Sequence, residues 1–140
     1  MKQILCFIAV TMAAVALLAE QPGNDDPIGR YLFPPELIMG HSQELSLLEK
    51  QRAAIKTEVQ KAQSKFVDVQ WEMQEEGQKM EKLLRQAPVD ETRILEQADK
   101  IMNLEREIKK THLSLLIRLK NLLTPEQITK LEALRRESSR

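Results

Sequence analysis

The residues of this chain best suited to chemistry are its two histidines and what stands near them. His41 lies close to Met39 and Glu44, and His112 follows Glu105 by seven residues in a segment with helical patterning. Imidazole, carboxylate and thioether groups can together bind a transition ion. Strong sites pair histidines at i and i+4 or crowd several ligands together, and this sequence does neither. The ordinary alternative is a partly buried His112 on the inward stripe of its helix, bonded to a carboxylate, with His41 at the surface. His41, His112 and Glu105 are thus candidate ligands for a transition metal, and no other cofactor is implied. Catalysis lacks its parts. No serine or threonine stands at a suggestive spacing from a histidine, no glycine-rich loop could cradle a phosphate, and the acidic doublet Glu75-Glu76 reads as a solvated face.

Whatever these residues do, the elements that position them are helices. Acidic and basic residues number 21 each, so no basic excess suggests a nucleic-acid partner. Aromatic residues make up 4% and charged residues 30%, a balance suited to long solvated helices more than to a compact core with a deep pocket. After Lys2 comes the uncharged run ILCFIAVTMAAVALL, which ends in small residues before Glu20. That layout is a secretory signal peptide, residues 1–19, cleaved after Ala19 with Ala16 as the alternative, and too short for a spanning helix. Export carries the chain into an oxidising compartment. Cys6 leaves with the signal, so the mature chain has no thiol for disulfides. Residues 20–34 hold Pro22, Gly23, Pro27, Gly29 and Pro34 among polar residues and read as a flexible leader, at whose end Tyr31-Leu32-Phe33 can pack on the helices of the domain.

Residues 35–137 form the domain, with 138–140 a tail. Leu48, Ile55, Val59, Ala62, Phe66, Val69, Met73, Met80, Leu84 and Ala87 recur every three or four residues, one apolar stripe on one long helix. Pro88 stops it and Asp90 can cap the next. The return helix carries Ile94, Ala98, Ile101, Ile108, Leu115, Leu119 and Leu122 on its stripe, so the two pair as an antiparallel hairpin. Glu81 with Arg85, Glu96 with Lys100 and Glu105 with Lys109 stand four apart in the favourable order. The fold is all-α, built on a long antiparallel hairpin.

The stretch LTPEQ, residues 123–127, opens the last helix. Thr124 is its N-cap, Pro125 fits the first helical position, and Gln127 reaches back to the cap N–H, while Leu123 and Ile128 can close a hydrophobic staple. An imperfect copy precedes the first long helix: Leu47 and Gln51 keep their places, Leu48 stands where threonine belongs, and Ser46 with Glu49 offers a substitute capping box two residues earlier. A repeated LTxxQ corner on an exported helical hairpin resembles the signature of the Spy/CpxP family of periplasmic proteins, itself similar to the CnrX-type heavy-metal sensors. The resemblance covers residues 35–136.

That resemblance implies a hooked four-helix hairpin paired as a homodimer. It implies an ATP-independent, chaperone-like or envelope-stress-sensing protein that binds unfolded envelope proteins or a membrane-bound sensor. The alternative it implies is a CnrX-type heavy-metal sensor. Large apolar residues off the main stripes are the candidates for client contact: Met39, Trp71, Leu104 and Leu113. For any one of them, packing within the hairpin or a dimer is the simpler role.

Overall fold

A computed structural model describes residues 26–138, and the signal peptide and the first six residues of the leader expected from the sequence lie outside them. Among the described residues the chain is all-helical: α1 (Pro27–Tyr31), α2 (Pro35–Gly40), α3 (Glu49–Leu84), α4 (Glu91–Asn121) and α5 (Pro125–Ser138). The hooked hairpin of four helices is therefore present, with one added helical turn. α1 forms inside the expected leader because Asp26 caps it, accepting bonds from the N–H groups of Ile28 and Gly29 at 3.0 Å each. No helix among the described residues is long and apolar enough to cross a membrane.

α3 has 36 residues and at a rise of about 1.5 Å per residue is roughly 54 Å long. It ends before Pro88, and the Asp90 carboxylate accepts a 3.1 Å bond from Arg93 N–H at the start of α4. Glu81 and Arg85 form their expected pair. Glu96–Lys100 and Glu105–Lys109 do not close, and pairs three apart form instead at Glu49–Arg52, Glu58–Lys61 and Glu76–Lys79.

The inward face of the hairpin follows a seven-residue repeat. On α3 the buried positions are Ile55, Ala62 and Val69, and on α4 Gln97, Leu104, Leu115, Leu116 and Leu119. Steps of three and four fix the 3.5-residue period of two helices wound on each other but not which of two adjacent residues lies on the seam, and on α4 the seam runs through Gln97 and Leu104, one residue before Ala98 and Glu105. That choice corrects several expected positions. Leu104 lies seven residues beyond Gln97 and faces α3, 9% exposed, so it is not an outer client-contact residue. Glu105 and His112, one position off that seam, are turned to solvent instead of inward, and Leu84 is 53% exposed while Leu83 takes the partly buried place.

The core is concentrated at the open end of the hairpin. Phe33, Ile38, Leu45, Leu47, Ile55, Leu115, Leu119, Leu123 and Leu131 form one cluster in which α2 and α5 close over α3 and α4. Phe33, placed in the leader by the sequence, is fully buried there. The segment around it is tied down by cations: Lys120 Nζ donates to Tyr31 O at 2.8 Å, and Arg135 Nη1 to Gly29 O at 2.8 Å. Both side chains also lie over the Phe33 ring, at 5.8 and 5.0 Å from its centroid.

Candidate functional site

At the open end, Gln51 and Gln127 hold the two long-helix corners together. Gln51 Oε1 accepts from Leu48 N–H at 3.0 Å, and Gln127 Oε1 accepts from Thr124 N–H at 2.9 Å, so each amide caps its own helix. Each amide nitrogen then donates to the other's oxygen, at 2.9 and 3.2 Å, and to a carbonyl across the gap: Gln51 to Leu122 O at 2.8 Å and Gln127 to Leu45 O at 3.2 Å. Both side chains thus use all their donor and acceptor capacity. Leu47 and Leu123, the first residues of the two motifs, are buried beside this clasp, and Ile128 packs on the same core. The sequence assigned Gln127 to its own cap, kept Gln51 only as a retained motif position, and missed their mutual contact; the repetition of the motif was the signal.

The first motif keeps the register of the second. Leu48 is the N-cap of α3, with no side-chain oxygen to return a bond, so only the Gln51 half of the box exists there. The substitute Ser46/Glu49 box does not form: Ser46 has φ 50°, a left-handed conformation, whereas an N-cap residue is extended. At the second corner Thr124 Oγ1 accepts from Gln127 N–H at 3.3 Å, and backbone and Thr124 hydrogen bonds at the helix start hold the Glu126 carboxyl below its ordinary range.

Beside the clasp, α2 and the first half of α3 frame an open groove of about 700 Å³. Met39, Ala53, Ile55 and Val59 line it, and Glu36, Glu49, Arg52 and Lys56 stand around it. Met39 is 39% exposed. Trp71, 63% exposed on α3, lies beyond the groove's last α3 residue, Gln63, and Leu113 is half-buried on α4. The four apolar candidates therefore do not form one patch.

The metal candidates are not brought together either. Glu105 and His112 sit about 10 Å apart along α4, both exposed. His41 is partly buried, its Nδ1 3.5 Å from Glu44 Oε1, and that buried nitrogen has no hydrogen-bond partner among the described residues. The Glu44 carboxyl is lowered by a backbone hydrogen bond, with His41 and Lys130 adding to the effect. Among the described residues no three His, Cys, Asp or Glu side chains converge as a metal site needs. The residues present do not fit a resident metal centre closed within one chain.

Further along the hairpin, one layer of the seam is polar. Gln97, 4% exposed, donates to Glu76 O at 2.9 Å and to Glu76 Oε2 at 2.5 Å. Lys79 and then Gln97 hold the Glu76 carboxyl below its ordinary range.

Fold and site together define an α-helical hairpin whose two capped corners lock at the open end, beside an apolar groove. The chain belongs to the family described as heavy-metal resistance, whose model matches residues 4–137, the grouping that takes in the CnrX-like and Spy-like periplasmic proteins. No curated protein and no solved structure matches it.

Proposed function

We propose that this protein serves heavy-metal resistance in the periplasm, in the manner of a CnrX-type sensor, by contact with a partner protein and not by catalysis. The observation that carries this is membership of the heavy-metal resistance family over nearly the whole chain. The hairpin's geometry supports a contact role. Two helices alone cannot cover their own seam: Met73, Met80, Ile94 and Ile101 remain half-buried, and Leu95 and Met102 are 57% and 49% exposed. A second copy, giving a homodimer, or a membrane-bound sensor would cover them. Because no closed metal site exists among the described residues, no step is assigned to a resident ion; His41 and Glu44 are a pair from which a shared site could be built.

The test is growth of a deletion strain on graded zinc, copper, nickel and cobalt, complemented by the wild-type gene or by His41→Ala, with metal titration of both purified proteins. Metal sensitivity rescued by wild type supports the resistance role, and loss of rescue and of metal binding in His41→Ala supports sensing through that pair. Normal growth of the deletion strain on every metal would sink the proposal.

A second reading, a Spy/CpxP-type holder of unfolded envelope proteins, rests on the groove at Met39, where apolar lining and a charged surround suit loose binding. Suppression of client aggregation in the presence of chelator, weakened by Met39→Asp, would favour it. Equal aggregation with and without the protein would remove it.

A further inference from the structure

A second groove, of about 310 Å³, opens between α3 and α4 in the half of the hairpin nearer its open end. It exists because the seam side chains are small there. Ala62 and Thr111 are the small residues of this stretch, where the neighbouring layers carry Ile55, Val69 and Leu104. Two antiparallel helices with small side chains at one level leave a gap that long flanking side chains surround.

The surround is rich in hydrogen-bond donors. Glu58 accepts from Lys61 Nζ and from Arg118 Nη1, at 2.9 Å each, so one carboxylate draws two cations to a common point. Lys65 is engaged by Glu107 at 2.7 Å. Among the described residues Lys110 lines the groove with no ion pair, and the Thr111 and Ser114 hydroxyls beside it make no hydrogen bond, whereas Thr57, Thr129 and Ser138 bond back to their own helices. The Lys61–Glu58–Arg118 group leaves one positive charge in excess and Lys110 adds another, next to two hydroxyls that have donors to give. Charge and donors of this kind match a tetrahedral oxyanion, which presents several acceptor oxygens and no donors.

We propose that this groove of the hairpin binds a phosphate-class oxyanion, with Lys110, Arg118, Thr111 and Ser114 as its donors. The ligand is either free in the periplasm or the phosphate of a lipid headgroup, and both offer the same chemistry. The groove is separate from the one at Met39, so oxyanion binding does not depend on the partner-contact reading.

The experiment measures binding of inorganic phosphate to the purified protein by calorimetry, and of phosphatidylglycerol or phosphatidylcholine vesicles by co-sedimentation, at one fixed ionic strength. Lys110→Gln and Thr111→Val are compared with Lys109→Gln, a neighbouring lysine outside the groove. Lys110 is exposed, so its replacement leaves folding intact, and urea midpoints check Thr111→Val. Saturable phosphate binding weakened at least about fivefold by both groove variants and less than about twofold by Lys109→Gln supports a free oxyanion site. Binding to phosphatidylglycerol vesicles alone, with the same variant pattern, supports a headgroup site. Binding to neither, or equal weakening by all three variants, overturns the proposal.

Discussion

Replacing Gln51 by alanine removes four hydrogen bonds at once: the cap bond from Leu48, the bond to Leu122 O, and the two amide bonds shared with Gln127. A net value of about 0.5–1.5 kcal/mol per bond gives a gross loss of about 2–6 kcal/mol. Water replaces part of it, because Leu48 N–H is at the surface, so the expected cost is about 2–4 kcal/mol. Gln127→Ala removes the Thr124 cap bond, the bond to Leu45 O and the same two shared bonds, and is expected to cost a similar amount. The double variant can lose the shared pair only once. Its cost should therefore fall short of the sum of the singles by about 1–3 kcal/mol, the value of two bonds. Equilibrium unfolding in urea measures all four proteins, and at an m-value of about 1.5 kcal/mol/M each single variant should move the midpoint by roughly 1–3 M. Additivity within about 0.5 kcal/mol would refute the clasp, because it would mean that each glutamine only caps its own helix.

Leu48→Thr should stabilise the protein by about 0.5–2 kcal/mol in the same assay, since it supplies the missing cap oxygen and gives up a side chain that is 68% exposed. Gly77→Ala should also stabilise, by up to about 1 kcal/mol, because Gly77 lies inside α3 and an added Cβ meets nothing within 4 Å; a loss on thermal melting would count against the open space there. Phe33→Ala should cost about 3–5 kcal/mol, and an unchanged melting temperature would show that the leader segment is not part of the core. Glu44, Glu58, Glu76 and Glu126 titrate below their unfolded values, so they stabilise the fold above the ordinary carboxylate range and this contribution is lost as pH falls through the lowered values. Lys65 and Lys79 titrate above theirs, so their contribution is complete below about 10.5 and is lost as pH rises through the raised values. Urea midpoints should therefore form a plateau through neutral pH with losses at both extremes, and Glu58→Gln should shrink the acid-side loss.

The sequence by itself determined the two long helices, the turn between them and the corner of the last helix. Pro88 and Asp90 at the hairpin turn, and Thr124, Pro125 and Gln127 at the last corner, act on backbone groups within four residues, so their effect is written locally and the structure has them as read. Apolar periodicity likewise set the long hairpin. What it could not set was which of two adjacent residues takes the seam once two helices wind together, because both choices keep the same 3.5-residue period: hence Leu104 and Gln97 turned inward, and His112 and Glu105 turned out. Only the tertiary structure joined Gln51 to Gln127, 76 residues apart, folded Phe33 into the core under Lys120 and Arg135, and kept His41 apart from His112. Each of these depends on the hairpin bringing distant segments to the same end or holding them along its length, and no spacing along the chain encodes that distance in advance.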